Sequence, residues 1–225
     1  VGLAEKWYGN NFVDDVTGQV LDGRLVKIER QHEMDYFRKK NVYTKVPTSE
    51  AKRATGRPPI GVRWVDTNKG DEEDPNYRCR LVAKDFKRKG DEQIFAPTPP
   101  LEALRTILAM AATPSLWAPE WATYEGPDRI QVSLVDISRA YFHAKVEGDS
   151  PLYIDLPPED EDYGKGLCGR LNVHMYGTRP AADGWHSEYS GAMQDLGFVI
   201  GTSSACVFRR PTLHLVSSVH GDDFT

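Results

Sequence analysis

The sequence is poor in cysteine. Cys79, Cys168 and Cys206 are odd in number, widely spaced and never arranged as C-x-x-C. That argues against a disulfide framework and against a cysteine zinc site, and it suits a reducing intracellular compartment. Long apolar runs are missing as well. The best, Ile107-Leu-Ala-Met-Ala-Ala112, falls far short of the roughly 20 residues that cross a bilayer, so no membrane partner is expected. The start, Val1-Gly-Leu-Ala-Glu-Lys6, has neither an initiator methionine nor the basic-then-apolar pattern of a secretory signal, and it reads as cut from a longer chain. There is no G-x-x-x-x-G-K-[ST], no G-x-G-x-x-G after a strand, no H-E-x-x-H and no G-x-S-x-G. Phosphate-loop, dinucleotide, zincin and serine-hydrolase chemistry therefore have no support. The six histidines are scattered and read as surface or packing residues.

What is present is ordinary soluble-protein material. Hydrophobic residues make up 40% and charged residues 27% of 225 positions, enough for one large domain or two small subdomains. The formal net charge of -5 argues against a protein that coats nucleic acid, but basic residues concentrate between 49 and 98. There, Gly61-Val-Arg-Trp-Val65 and Tyr77-Arg-Cys-Arg-Leu-Val-Ala83 flank the acidic turn Asp71-Glu-Glu-Asp74. Alternation predicts a two-stranded ribbon with Arg78, Arg80 and Lys84 on one face. Such a face is either merely solvated or suited to a triphosphate or a nucleic-acid backbone.

Helices are predicted over roughly Leu25–Lys40, after Pro99-Pro100, and from about Pro180 to Leu196. The second buries Leu101, Leu104, Leu108 and Ala111 and is closed by Pro114. The third carries a stripe of Trp185, Tyr189, Met193 and Leu196, is capped by Thr178 or Asp183, and ends at Gly197. Residues 115–129 read as a polar loop. Strands are predicted at Gln131–Ile137 and Leu152–Leu156, with a hairpin of Ala205–Arg209 and Leu213–His220 around residues 210–212. The order lacks regular βαβ alternation, so the predicted class is α+β, an antiparallel sheet with helices on one face.

Two strand-end acidic sites stand out, Asp136 and the Asp222-Asp223 pair. Magnesium takes hard oxygen ligands, commonly one or two carboxylates plus substrate phosphates. Two-metal phosphoryl or nucleotidyl transfer needs carboxylates converging from different strands, to hold ions about 3.5–4 Å apart. The alternatives are plain: Gly221-Asp-Asp223 is also an ordinary turn tripeptide, and Asp136 alone is also a structural carboxylate. Glu159-Asp-Glu-Asp-Tyr-Gly-Lys-Gly166 lacks the calcium-loop register and reads as an acidic surface loop.

Seven blocks, in order, resemble the reverse transcriptase domain of copia-type long-terminal-repeat retrotransposon polyproteins. They are Ile60–Val65; Tyr77–Phe86; Ile94–Thr98 with Arg105; Val135-Asp-Ile-Ser-Arg-Ala-Tyr-Phe142; Leu152–Ile154 with Pro157; Met175-Tyr-Gly-Thr-Arg179 with Trp185; and Val219-His-Gly-Asp-Asp-Phe224. The resemblance covers roughly residues 36–225. Two departures accompany it: Arg179-Pro-Ala-Ala182 stands where the family has Lys-Gln-Ala-Pro, and His220-Gly221 where it has Tyr-Val.

The resemblance implies a right-hand polymerase: a lead-in over 1–35, fingers over 36–98, and a palm over 99–225 whose antiparallel sheet packs on helices. The chain ends just past the aspartate pair, so the thumb is expected to be absent. Asp136, Asp222 and Asp223 become the catalytic metal ligands, with Asp136 and Asp222 holding two Mg2+ ions (Mn2+ as a substitute) and Asp223 nearby. Tyr141 becomes a gate against the ribose 2′-hydroxyl. Arg80, Lys84 and Arg179 become nucleotide-binding residues. The implied reaction is RNA-directed DNA polymerisation, in which a primer 3′-hydroxyl attacks the α-phosphate of a deoxynucleoside triphosphate. The implied partners are an RNA or DNA template with primer, dNTPs, and the rest of the polyprotein (thumb, ribonuclease H and integrase). The implied location is intracellular, cytoplasmic in particles or nuclear. The alternatives are an inactive transposon remnant that binds nucleic acid or a partner, and a two-metal nuclease.

Overall fold

The computed structural model describes residues 12–87, 97–113, 130–148 and 150–225. Its elements in chain order are β1 (Phe12–Val13), β2 (Val20–Leu21), α1 (Gly23–Lys40), β3 (Tyr43–Pro47), α2 (Thr48–Thr55), β4 (Val62–Asn68) and β5 (Tyr77–Ala83). There follow α3 (Leu101–Ala112), β6 (Val135–Asp136), β7 (Tyr153–Asp155), β8 (Leu167–Leu171), α4 (Ala181–Asp195), β9 (Val199–Ile200), β10 (Val207–Arg210), β11 (Leu215–His220) and β12 (Asp223–Phe224). The mixture of helices with antiparallel pairing is the predicted α+β class. The chain divides into two compact units, residues 1–92 with 145–181, and residues 93–144 with 182–225.

In the first unit, β4 and β5 form the predicted ribbon, in register from Val62↔Ala83 to Asn68↔Tyr77. Cys79, Leu81 and Ala83 are buried, while Arg78, Arg80, Val82 and Lys84 between them are not. Helix α1 covers the buried face: Val26, Leu21 and Cys79 share a core cluster, and the Cys79 thiol donates to the Val26 carbonyl at 3.8 Å. Asp22 starts α1 by accepting from the Arg24 N–H, and Asn41, left-handed at φ 51, stops it.

Arg30 ties α1 to the ribbon. Its guanidinium meets Asp66 through Nε at 3.2 Å and Nη2 at 2.5 Å, and Glu159 through Nη1 at 3.0 Å. Phe12 and Trp64 flank it at 4.9 and 5.0 Å. A second sheet, β3-β8-β7, lies in the same unit. The acidic loop after β7 is held by a lysine, because Lys45 Nζ lies 2.8 Å from Asp160, 3.3 Å from Glu161 and 2.7 Å from Asp162. The ammonium draws the three carboxylates together and gives the acidic loop its structure.

In the second unit the sheet order is β6-β12-β11-β10-β9, antiparallel throughout. Trp185, Tyr189 and Met193 of α4 bury against Phe208 and Val219, joined by Phe224. Tyr189 stands edge-on to both Phe208 and Phe224, at 5.9 and 5.7 Å. Gly197, at φ 84, follows the helix as predicted.

Three expectations need correction. Leu196 is 59% exposed and lies past the end of α4, outside its stripe. In α3 no residue is buried. Leu101 and Leu108 are exposed, and Ala103, Leu104, Ile107, Met110 and Ala111 form the half-buried side. A helix whose every third or fourth position is apolar on more than one face does not announce which stripe will pack. The strand predicted over Gln131–Ile137 pairs only at Val135 and Asp136, because β12 offers just two partners. The sequence reading offers no counterpart of β1, β2, β3, α2, β8, β9 or β12. The polar loop of 115–129 lies outside the described residues, as do Pro114 and Ile94, Phe95 and Ala96 of the third block.

Candidate active site

The second unit brings the acidic segments together. Asp136 and Asp223 are directly opposed across β6 and β12, and His220 is opposed to Asp223 across β11 and β12. The Ile137 N–H donates to the Asp222 carbonyl at 2.9 Å. That bond lies outside the Asp136–Asp223 pair and makes it a non-hydrogen-bonded one, the class in which facing Cα atoms approach to about 4.5 Å. Val219 and Phe224 pack on the α4 side. Strand alternation therefore sets His220, Asp223 and Asp136 as a row on the opposite face.

Gly221 and Asp222 are the two residues of the tight turn. Gly221 has φ 67 and Asp222 does not have positive φ, the sign pattern of a type II′ hairpin turn with glycine first. A Cβ at Gly221 would meet nothing within 4 Å, so the turn demands its backbone freedom and not its small size. The Trp185 indole N–H donates to the Gly221 carbonyl at 2.8 Å and ties the turn to α4.

Asp136 and Asp223 are exposed and line a cavity of about 460 Å³, with His220, Leu101 and Leu104 also on its walls. Asp222 sits beside them in the turn, half-buried. Among the described residues no three acidic, histidine or cysteine side chains close into a metal cage. The facing carboxylates nevertheless fit magnesium, which keeps its waters, binds through one or two carboxylates and takes its remaining ligands from substrate phosphates. The register gives Asp136 a facing partner in Asp223, with Asp222 one residue to the side.

Tyr141 lies just beyond β6 in a 3₁₀ turn of Ala140–His143. Ala140 and Phe142 anchor that turn inward, and Tyr141 is half-buried against the α4 core. Arg139 precedes it in the left-handed region at φ 53, a conformation a non-glycine residue rarely holds.

Arg80, Lys84 and Arg179 belong to the first unit, which brings their segments side by side. The Ala83 N–H donates to the Tyr176 carbonyl at 2.8 Å and the Asp85 N–H to the Gly177 carbonyl at 3.2 Å. The Arg179 N–H donates to Asp85 Oδ2 at 3.0 Å. The Arg80 guanidinium lies 4.5 Å from the centre of the Tyr176 ring. Gly177 makes this approach possible: at φ 83, any Cβ it carried would fall 2.0 Å from the Ala83 carbonyl oxygen.

The sequence reading did not single out His220 as a neighbour of the aspartates. The signal was available, because a strand entering a two-residue turn sets the residue before the turn opposite the residue after it.

The family model for reverse transcriptase (RNA-dependent DNA polymerase) matches residues 41–225. Among curated proteins, the chain is 28% identical over 184 residues to the retrovirus-related Pol polyprotein from transposon TNT 1-94 of Nicotiana tabacum. That alignment takes in 79% of this chain and 12% of the polyprotein, so the chain spans about an eighth of that relative's length.

Proposed function

The chain belongs to the reverse transcriptase (RNA-dependent DNA polymerase) family, in its copia-type retrotransposon branch, and on that premise we propose that it carries the polymerase centre of a retrotransposon polyprotein. The single observation that carries this reading is the facing of Asp136 and Asp223, with Asp222 in the adjoining turn. Nucleotidyl transfer asks for acidic oxygens from separate strands at one place, and here residues distant in the sequence supply them.

Asp136, Asp223 and Asp222 would hold the divalent cations. Bound there, two Mg2+ ions would favour deprotonation of the primer 3′-hydroxyl and neutralise charge on the triphosphate. The chain's own groups do the rest. Arg80, Lys84 and Arg179 offer cationic donors to the polyphosphate. Tyr141, braced by Ala140 and Phe142, limits room beside the sugar. The α4 helix, through Trp185, keeps the aspartate turn from shifting. Catalysis on this plan is positioning plus charge neutralisation. The β4–β5 ribbon takes the fingers role (36–98 by the resemblance) and the five-stranded sheet the palm role (within 99–225). Template, primer, dNTPs and the neighbouring polyprotein domains are the partners.

The test is primer extension by the polyprotein that carries this domain. Asp136→Asn should abolish magnesium-dependent extension and leave the circular dichroism spectrum unchanged; extension at the wild-type rate refutes the site. Tyr141→Val should admit ribonucleotides, and unchanged sugar discrimination removes the gate. A second reading, a nucleic-acid-binding remnant without catalysis, draws on Pro180 standing where the family has a glutamine. Wild-type protein that binds primer–template but never extends it would establish that reading instead.

A further inference from the structure

The arginines around the β4–β5 ribbon are partnered in two different ways. Arg30 and Arg63 each meet a carboxylate, Arg30 at Asp66 and Arg63 at Asp15. Arg80 meets none among the described residues. The partner the structure gives it is a ring: its guanidinium carbon lies over Tyr176, 4.5 Å from the ring centre.

The difference is chemical. A carboxylate holds an arginine by occupying its N–H donors and cancelling its charge. An aromatic face holds it through the ring quadrupole, needs none of those donors and leaves the charge in place. An arginine set on a ring is therefore oriented and still able to offer its donors to an anion. It has also lost rotamer freedom beforehand, so gripping the anion costs less.

Both members of the pair are pinned. Arg80 is half-buried between Cys79 and Leu81, whose side chains are buried on the other face of β5, so the strand cannot roll. On the ring's side, Met175 is fully buried. The Thr178 hydroxyl donates to the Met175 carbonyl at 2.9 Å and closes a turn around Tyr176 and Gly177. The Tyr176 carbonyl in turn accepts from the Ala83 N–H of β5. Side chain and backbone thus tie the same two segments together.

We propose that Tyr176 is a positioning residue for substrate: its ring holds Arg80, charged and uncommitted, for the polyphosphate of the incoming dNTP. The identity of that anion rests on the polymerase reading; the role of Tyr176 goes beyond it.

The experiment measures dTTP affinity without turnover. The full chain is bound, with magnesium, to a primer–template whose primer ends in a dideoxynucleotide just before a template adenine. Added dTTP is read as protection of that complex from a competitor duplex. Arg80→Ala should weaken dTTP about tenfold or more, the size of hydrogen bonds to a charged group. Tyr176→Leu should weaken it about fivefold, the size of one half-buried cation–π contact, and leave primer–template binding without dTTP unchanged. Tyr176→Phe, which keeps the ring, should bind like wild type. The double variant Tyr176→Leu with Arg80→Ala should lose no more than Arg80→Ala alone, which a general packing defect would not do. Arg80→Lys keeps the charge but not the flat stacking group. It should lose at least as much as Tyr176→Leu, and so tests the pair even if Tyr176→Leu does not fold. Arg80→Ala or Arg80→Lys at wild-type affinity, Tyr176→Leu at wild-type affinity, Tyr176→Phe as weak as Tyr176→Leu, or an additive double variant each overturns the Tyr176 assignment and leaves the metal centre standing. A wild-type complex that dTTP does not protect overturns the polymerase reading as well.

Discussion

Two carboxylates set face to face across a strand pair repel each other until a cation sits between them. Asp136 and Asp223 are in that position, so the metal-free protein should carry a strain that a single amide substitution removes. Like charges directly opposed on a sheet cost about 0.2–1 kcal/mol. Coulomb's law for unit charges about 5 Å apart in a water-like dielectric gives about 0.8 kcal/mol, at the upper end of that range. Asp223→Asn should therefore stabilise the metal-free protein at low salt by about 0.5–1 kcal/mol. That raises the melting temperature by about 1–4 °C for a chain of this size. The gain should shrink toward zero near 1 M salt, where screening acts within about 3 Å. Magnesium should stabilise the wild type more than the variant, by mass action on the folded state.

The decisive measurement is a cycle of thermal melts, in EDTA and in magnesium, of wild type, Asp136→Asn, Asp223→Asn and the double variant. Either single change removes the same repulsion, so the double variant should gain no more than one single. A wild type as stable as Asp223→Asn in EDTA, or a double variant that gains the sum, would refute the claim that the two carboxylates share one field.

Two further predictions concern the first unit. Arg30→Met leaves the buried Asp66 carboxylate without its bidentate partner, and breaking such a pair by removing one member costs about 3–5 kcal/mol; the urea midpoint should fall accordingly, and a loss under about 1 kcal/mol would show that the pair is not truly desolvated. Asp14 accepts backbone N–H groups from Asn68 at 2.7 Å and from Thr17 and Val16 at 2.8 Å, and these bonds, Asn68's foremost, lower its pKa to about 2 from the ordinary 3.8. A folded-state pKa below the unfolded one contributes stability fully above about pH 4, lost as pH falls toward 2. The stability gap between wild type and Asp14→Asn should therefore narrow across that window, and a gap independent of pH would remove Asp14 from the account.

The sequence disclosed most where a local rule is decisive. The β4–β5 ribbon was legible because Arg78, Cys79, Arg80 and Leu81 alternate and one face had to be covered. Helix α4 was legible because Trp185, Tyr189 and Met193 fall at helical spacing and Gly197 supplies the left-handed stop. Elements stabilised by distant partners were not legible. Strand β8 is held between β3 and β7, and Leu167-Cys-Gly-Arg-Leu171 alone has neither a clean alternation nor a turn signal. Its Gly169 is dictated by the Tyr43 ring, which a Cβ would meet at 2.7 Å, a constraint no local pattern records. The buried Arg30 reads in sequence as one more charge on a charged helix; only Asp66 and Glu159, far along the chain, make it a core residue.

The candidate site divides in the same way. That Asp136 and Asp222-Asp223 are the acids to watch was readable from strand ends and order of motifs. Which of the pair faces Asp136 was not readable, because it depends on register. The Gly221-Asp222 turn consumes two residues, pairs His220 with Asp223, and so hands the facing position to the second aspartate. A turn longer by one residue would move the pairing and put a different side chain opposite Asp136. The φ of 67 at Gly221 is thus as much a determinant of the site as the carboxylates. Gly221→Val should disturb metal-dependent stabilisation without altering the number of acidic groups.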